Sequence, residues 1–392
     1  MKYFILHLIT LCINIKISNF NEITITIKGG TGAHQILSDM FSSLPSQITS
    51  NQGPVNYTLK NVYGLHNTEN NITMIWDKPL INTSYMFMDL NDIIKIDFSK
   101  FNSSNINNMK YMFYNCKSLD SIIFYNFNTS LVEDMSYMFY GCESLETLDL
   151  NKFVTSSVSN MEHMFDNCIN LKFLLISNFN TSKVNNMSHL FNNCNSLTEL
   201  NISNFNTELV TNMNFMYHDC KKLINLNVSN FITEKVTTMN SIFSRCESLT
   251  YLNLNNFRTS MVSDMYHMFY YCSNITQLNI DNFDTSKVLD MTGMFEFCNQ
   301  LSSLDLKSFN TSSVKNMHSM FNGCRSLKSL NITNFDTSSV SKMFYMFQNC
   351  IALTSLDLSN FDTSSVKEIS GMFENCNSLT SLDISNFDIS HI

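Results

Sequence analysis

Apolar side chains recur along this chain with a period of 26 residues. Cysteine keeps this spacing from Cys116 to Cys376, and phenylalanine keeps it from Phe101 to Phe387 without an insertion. A repeat of this length cannot bury its apolar side chains alone, so neighbouring repeats stack and each contacts mainly the next. The period therefore predicts one elongated solenoid domain rather than several globular ones.

Two shorter periodicities lie inside each unit, and the unit that begins at Cys350 shows both. Its leucines form an L-x-x-L-x-L pattern whose last pair, Leu356 and Leu358, alternates as in a strand. Apolar residues then recur at i, i+3, i+6, i+7 and i+10, which predicts one face of a short helix. These residues are Val366, Ile369, Met372, Phe373 and Cys376.

A polar segment, Asn-Phe-Asp-Thr-Ser at 360–364, separates the two patterns. Its side-chain oxygens can accept backbone N–H groups, which favours a turn followed by a helix N-cap. The sequence therefore predicts an α/β solenoid. Parallel strands about 4.8 Å apart form a sheet on one face, and short helices lie on the other.

The first eighty residues do not follow the repeat. Ile23–Ile27 and Ile72–Trp76 alternate as strands do. We interpret residues 19–80 as a small β-rich N-terminal cap, because a solenoid needs one to cover its first apolar edge. Residues 81–392 then form about twelve coils, of which the C-terminal one is incomplete.

The extreme N-terminus resembles a secretory signal. Lys2 precedes an apolar run at 4–13 that is too short for a membrane span. We predict that residues 1–18 are a signal peptide and that the protein is secreted or lies on a cell surface. Asn-x-Ser/Thr sequons agree with this route, although a chain rich in Asn, Ser and Thr also produces them by chance. The alternative is an apolar first strand.

Charge narrows the range of partners. Only 15% of residues are charged and the net charge is −9, with no basic stripe. Nucleic acid is therefore not expected as a partner. No nucleophile–base pair with a structural context stands out, so neither enzymatic activity nor a cofactor is expected.

The regular cysteines predict a ladder of buried thiols, because parallel Cβ vectors at core positions suit a small hydrophobe. Regular disulfides between neighbouring coils are the alternative, since the Cα distance permits them. Zinc is not expected at these cysteines, because no C-x-x-C pairs converge. The ladder comprises Cys116, Cys142, Cys168, Cys194, Cys220, Cys246, Cys272, Cys298, Cys324, Cys350 and Cys376.

The phrase S-N-F-[DN]-T-S-x-V-x-x-M-x-x-M-F-x-x-C-x-S-L resembles the 26-residue unit of the BspA-like leucine-rich-repeat surface proteins. The resemblance covers residues 81 to 392. It implies a curved α/β solenoid outside a cell, with adhesion or partner binding as its role. Departures from the pattern are apolar, such as Tyr217 in place of the usual phenylalanine.

Candidate binding residues occupy outward positions of the predicted strands, where oxygen-bearing side chains repeat one coil apart. They could bind an extended polymer, a carbohydrate or Ca²⁺. Alternatively, they form an amide ladder that keeps the strand face soluble. The candidates are Asn201, Asn227, Tyr251, Asn253, Gln277, Asn279 and Asp305. His163 and His189 also repeat one coil apart, but two imidazoles without a third ligand make a weak site, and no metal is expected.

These observations favour a non-enzymatic binding or adhesion scaffold for a macromolecular partner, either a protein or a glycan. The alternative is a structural coat or spacer protein. It would self-associate through an uncapped C-terminal edge, formed by Leu379, Leu382, Ile384 and Phe387. No membrane span is expected in the chain.

Overall fold

The structure is a computed structural model that describes residues 21–30, 32–66, 68–388 and 390. The predicted signal peptide lies outside the described residues. Among those residues, no helix is long and apolar enough to cross a membrane. The N-terminal strands are β1 Glu22–Lys28, β2 Ala33–Gln35, β3 Gln47–Ser50, β4 Asn56–Thr58, β5 Asn61–Tyr63 and β6 Glu69–Ile75.

The coils contribute short strands at 26-residue intervals, which are interrupted between 226 and 303. They are β7 Ile93–Asp97, β8 Ser121–Ile123, β9 Thr147–Asp149, β10 Phe173–Leu175, β11 Glu199–Leu200, β12 Asn225–Leu226, β13 Ser303–Asp305, β14 Ser329–Asn331, β15 Ser355–Leu356 and β16 Ser381–Leu382.

The N-terminal sheet continues directly into the first coils. Strand β1 pairs antiparallel with both β6 and β7, and β7 pairs in parallel with β8. Alternation buries Ile23, Ile25 and Ile27 against the core, which confirms the predicted strand. Trp76 packs here as expected, and its indole N–H donates to the Ser43 carbonyl at 2.9 Å.

The coil strands pair in parallel, as predicted, with partners one period apart. Leu148 lies beside Leu174, and Leu304 lies beside Leu330. The strands have only two to five residues because each coil turns away immediately afterwards. The leucines of the L-x-x-L-x-L pattern point inward, and the residues between them face solvent on one long side of the molecule.

The predicted helices are wrong, because no described residue is helical. The segment instead consists of consecutive turns, such as 109–112 and 113–116. In the second turn the Cys116 N–H donates to the Phe113 carbonyl at 3.2 Å, and Asn115 has a φ of 55°. A positive φ at the third residue is what a type II turn requires. Consecutive turns repeat every three to four residues, so they imitate the apolar spacing of a helix.

The turn segments bond between coils, which a helix would prevent. The Phe113 N–H donates to the Met138 carbonyl at 2.9 Å, and the Asn115 N–H donates to Tyr140 at 2.7 Å. In a helix these N–H groups would bond to carbonyls of their own segment. Alternate residues therefore bond within the coil and to the next coil, so the solenoid is hydrogen-bonded on its turn side as well as on its strand side.

The threonine that recurs in each unit does not cap a helix. Thr207 is buried, donates to the Ile232 carbonyl at 2.8 Å and accepts the Ile232 N–H at 2.8 Å. The neighbouring Asp or Asn does form the predicted turn, since the Ser364 N–H donates to the Asp362 carboxylate at 2.8 Å. The threonine thus satisfies two backbone groups of the next coil.

Continuous columns of identical side chains fill the interior. Neighbouring phenyl rings stack, for example Phe165 on Phe191 with centroids 5.7 Å apart. The cysteines from Cys116 to Cys350 are buried and Cys376 is half-buried, all as free thiols. Each thiol donates to a phenylalanine or tyrosine carbonyl of the preceding coil, as Cys194 does to Phe165 at 3.2 Å. Burial raises the pKa of Cys272 to about 12.

Candidate functional site

The predicted binding residues lie on what we call the strand face. This is the surface formed by the outward side chains of β7 to β16, of Ile224 directly before β12, and of residues 251–253 and 277–279. Tyr251 is 64% exposed there, and Asn253 and Asn279 sit side by side across a parallel bridge. Gln277 is also exposed on the same coil as Asn279. The structure therefore brings these four candidates together.

The outward Asn and Asp side chains are held by their own coils. The side-chain oxygen of Asn201 accepts the Ser203 N–H at 3.2 Å, and Asp305 accepts the Lys307 N–H at 3.1 Å. The same bond, from the residue two positions on, forms at Asn227, Asn253 and Asn279. Each oxygen terminates the strand as an Asx turn, so one lone pair at each position is already used.

Large apolar side chains interrupt this polar surface. Phe173 and Leu175, at the two ends of β10, are 60% and 48% exposed. Ile224, next to β12, is 49% exposed, and Tyr251 lies one coil further along. Parallel strands are about 4.8 Å apart, so these four side chains span roughly 15 Å along the strand face. Their backbone is fixed by the coil below and the coil above.

A second longitudinal feature lies on the turn side. We call the stacked rings that recur every 26 residues from Phe87 to Phe373 the phenyl column. The second feature, the edge column, takes one residue from each coil, two positions before the ring of the phenyl column. Its members are Tyr85, Tyr111, Tyr137, His163, His189, Phe215, Ser241, His267, Gly293, Ser319, Tyr345 and Gly371. All of them have φ between 52° and 63°.

The first six rings of the edge column form one continuous stack. The ring centroids of Tyr137 and His163 are 4.4 Å apart, those of His163 and His189 are 4.1 Å apart, and those of His189 and Phe215 are 4.7 Å apart. The stack is half-buried, and the two imidazoles lie against each other between the rings of Tyr137 and Phe215. This packing holds the ring planes in place.

The column changes where glycine replaces a ring. A Cβ at Gly293 would lie 2.4 Å from the His267 ring, so that ring occupies the space of the missing side chain. His267 stacks on Tyr266 and Tyr270 of its own coil instead. Burial lowers the pKa of His267 to about 4.

Asp166 brings a carboxylate to the two stacked imidazoles. Its Oδ2 is 2.5 Å from Nδ1 of His163 and 3.9 Å from Nδ1 of His189. Its Oδ1 accepts a hydrogen bond from the Asn192 amide at 2.8 Å. One ligand atom from each of His163, Asp166 and His189 lies within 4.8 Å of the other two.

Burial controls the electrostatics of this cluster. It raises the pKa of Asp166, against the hydrogen bonds from His163 and Asn192, which lower it. Burial also lowers the pKa of His189 to about 4, and the charges of His163 and His218 lower it further. Nδ1 of His189 is buried and has no hydrogen-bond partner among the described residues. At neutral pH this imidazole is therefore uncharged and its buried nitrogen is unsatisfied.

A separate ionic cluster two coils further on places a guanidinium and an imidazole against one carboxylate. Arg245 donates to Asp219 at 2.6 Å, and Nε2 of His218 is 3.2 Å from the same carboxylate. Burial opposes ionisation of Asp219, but the hydrogen bonds from His218 and Arg245 outweigh it and hold its pKa well below the ordinary value. The Arg245 guanidinium also lies over the Tyr271 ring. This arrangement fits a structural role linking three coils.

The repeat matches one known family. The family described as "Mycoplasma protein of unknown function, DUF285" matches residues 81–175, 171–277, 249–330 and 298–392. The chain belongs to this family. The matches cover the whole of the coiled region, and the BspA-like resemblance stays a prediction. Among curated proteins, none matches the chain.

Several solved structures have some similarity to this DUF285 chain. They include a TLR13–ssRNA13 complex, with 17% identity and a TM-score of 0.29 over 77% of this chain and 44% of that chain. A leucine-rich repeat protein from Eubacterium ventriosum has 15% identity and a TM-score of 0.32 over 68% and 85%. The functional domain of InlJ from Listeria monocytogenes, which includes a cysteine ladder, has 15% identity and a TM-score of 0.23 over 80% and 67%. The chain thus spans less than half the length of the TLR13 chain.

Sequence reasoning missed Leu175, Ile224 and Asp166. Other units carry Asp or Asn at the position of Leu175. This apolar residue could therefore have been recognised from the sequence as lying at an outward position. Asp166 gave no such signal. Its separation from His189 is not one period, and only the turn geometry brings the two side chains together.

Proposed function

We propose that this DUF285 protein is a non-enzymatic, secreted or cell-surface repeat protein whose strand face binds a protein partner. The observation that carries the proposal is the exposure of Phe173 and Leu175 at 60% and 48% on one rigid strand. Large exposed apolar side chains grouped on a soluble protein mark interaction sites. Aromatic residues are enriched at the centres of protein interfaces.

A protein partner fits the strand face better than a glycan. A sugar ring stacks on an aromatic face such as Tyr251, but Leu175 and Ile224 offer no such face and no hydrogen bond. These aliphatic side chains match an apolar protein surface. The surrounding Asn and Asp residues would form the polar rim that protein interfaces have. Secretion is supported by the apolar run after Lys2 and by the sequons.

The binding test uses the purified chain against an immobilised basement-membrane extract and, in parallel, a glycan array. We expect saturable binding to an identified protein of the extract. The double variant Phe173→Asp/Tyr251→Asp should weaken it at least tenfold, because truncating aromatic anchors of an interface costs about 2 kcal/mol or more. Tyr57→Asp is the matched control, since Tyr57 is 47% exposed but lies on β4, away from the strand face.

Three results would contradict the proposal. If binding survives in the double variant, the strand face is not the binding surface. If the chain binds only to the glycan array, the partner is not a protein. Concentration-dependent growth in sedimentation without any binding favours the structural coat. Secretion is tested separately by N-terminal sequencing of the exported chain, which should begin close after Ser18.

A further inference from the structure

We propose that His163, Asp166 and His189 bind one divalent transition-metal ion of the zinc class at the edge column. This metal site is independent of the strand face. It differs from our expectation from the sequence, which excluded a metal because the two imidazoles lacked a third ligand. Asp166 supplies that ligand.

The donor set identifies the class of metal. Two imidazole nitrogens and one carboxylate oxygen suit Zn²⁺ and its neighbours Co²⁺, Ni²⁺ and Cu²⁺. Ca²⁺ and Mg²⁺ prefer oxygen ligands alone, so they are not expected here. Three protein ligands leave a fourth tetrahedral position for water or for a side chain of a partner.

The distances already approach those of a metal site. Ligands about 2.0–2.1 Å from zinc in a tetrahedron lie about 3.4 Å from one another. The carboxylate Oδ2 of Asp166 is 2.5 Å from His163 and 3.9 Å from His189, one slightly too close and the other slightly too far. Replacing the hydrogen bond between Asp166 and His163 by an ion lengthens the first separation and shortens the second. The two imidazole planes are stacked 12° apart, so the His189 ring must also rotate until its nitrogen lone pair points to the ion.

One nitrogen of the cluster is free to bind an ion. The buried Nδ1 of His189 has no hydrogen-bond partner among the described residues, while the equivalent nitrogen of His163 is paired with Asp166. A buried polar atom without a partner is unfavourable. Nδ1 of His218 and of His318 are also unpaired among the described residues, but His189 alone of the three has both a second imidazole and a carboxylate within 4.8 Å. Coordination would satisfy this nitrogen.

A hydrogen bond from outside the cluster holds Asp166, and aromatic rings flank the two imidazoles. Asn192 donates to the second oxygen of Asp166 at 2.8 Å, and Tyr137 and Phe215 stack on the outer faces of the two imidazoles. Outer hydrogen bonds of this kind orient metal ligands, and their loss typically weakens binding ten- to a hundredfold. The Asn192→Ala variant should therefore bind the metal more weakly but still bind it.

The decisive experiment titrates ZnCl₂ into the full chain, purified without a histidine tag and stripped with EDTA, using isothermal calorimetry. We expect one Zn²⁺ per chain, and a tetrahedral absorption spectrum when Co²⁺ replaces it. His189→Phe should lower the affinity at least a hundredfold, because it removes a ligand. Phenylalanine is native at the next coil of the same column, as Phe215 shows, so the stack remains.

The matched control is His267→Phe, which removes a histidine of the same column outside the cluster and should leave zinc binding unchanged. Asp166→Asn is a second test variant, because asparagine is native one coil later at Asn192. It should also lose the site, with circular dichroism confirming that it folds. Less than one zinc per chain in the wild type, or wild-type affinity in both His189→Phe and Asp166→Asn, would overturn the proposal. A loss in His267→Phe equal to that in His189→Phe would overturn it as well.

Discussion

The phenyl column and the edge column run side by side, two residues apart in every coil, yet they differ in side-chain type, in burial and in φ, which is positive only in the edge column. In the phenyl column Phe87 to Phe347 are buried, with Tyr217 as the single exception to phenylalanine along that stretch. In the edge column tyrosine, histidine, phenylalanine, serine and glycine all occur. Both positions donate their N–H to the next coil, as Tyr111 and Phe113 do.

The difference follows from which neighbours each column touches. An interior ring is enclosed by rings above and below and by methionine and cysteine beside it, so close packing allows one shape. An edge ring touches its neighbours on two faces only and meets solvent at its rim. The residue type in the edge column can therefore vary from coil to coil while the solenoid stays folded. The cluster of His163, Asp166 and His189 lies at this edge.

Removing one ring from each column should give the largest difference in the free energy of unfolding between the two columns. We expect Phe165→Ala to lower the free energy of unfolding by about 3–5 kcal/mol, because it opens a cavity between Phe139 and Phe191. Tyr345→Ala, which removes an edge-column ring that is 38% exposed, should lower it by about 1 kcal/mol or less. Urea unfolding followed by far-UV circular dichroism measures both. Equal losses would mean that a ring of the edge column contributes as much to stability as a ring of the phenyl column.

Interior polar groups should be as intolerant as the rings. Thr207→Val leaves the N–H and carbonyl of Ile232 without their partner, and we expect a loss of about 2–3 kcal/mol. Ser182→Ala, on the exposed turn of the preceding coil, should change stability by less than about 0.5 kcal/mol. The same denaturation experiment checks the pair. A loss below about 1 kcal/mol for Thr207→Val would show that water replaces the threonine.

The edge also holds a carboxylate whose ionisation opposes folding. Burial raises the pKa of Glu296 from 4.5 to about 7, although Asn322 donates a hydrogen bond that lowers it. Between these two values the folded chain holds a proton that the unfolded chain releases, so stability falls as pH rises from 4.5 to 7. Above pH 7 the full penalty is present.

Glu296→Gln should remove that penalty and keep the bond to Asn322, since glutamine occurs at the same repeat position as Gln348. We expect a gain of about 1–2 kcal/mol at pH 8, reduced from the full shift because the group is partly solvated. At pH 4 the variant and the wild type should be equally stable. Urea midpoints across this range give the profile. A gain that does not depend on pH would contradict the ionisation argument.

The smallest expected effect is at the exception in the phenyl column. The hydroxyl of Tyr217 is buried and has no hydrogen-bond partner among the described residues. Tyr217→Phe should raise the free energy of unfolding by about 1 kcal/mol, because it removes this unsatisfied group. The reverse change one coil on, Phe243→Tyr, should lower it by about the same amount. Thermal unfolding of the two variants is the measurement, and a loss for Tyr217→Phe would reveal a partner for the hydroxyl.

The sequence predicted the period, the inward residues and the parallel strands, because burial repeats every 26 residues and alternates within L-x-x-L-x-L. It predicted a helix wrongly for 109–116, since spacing by three and four residues fits both a helix and consecutive turns. Deciding between them requires knowing where the N–H of Phe113 goes, and that partner, Met138, belongs to the next coil. For the strand face, Tyr251 and Asn253 were found by their outward position, while Leu175 was missed because apolar residues were assigned to the core.

What the sequence determined by itself is therefore one-dimensional: the length of a coil, the side chains that form interior columns and the order in which coils stack. These properties depend on which residues are buried, and every repeat has the same kinds of residue at its buried positions. The tertiary structure decided how the chain turns within each coil, and hence that Asp166 meets the imidazole of His189 on the next coil. This contact depends on residues with positive φ and on hydrogen bonds between coils, such as the one from Phe113 to Met138. The two residues in that bond are not neighbours in the chain and are not one period apart.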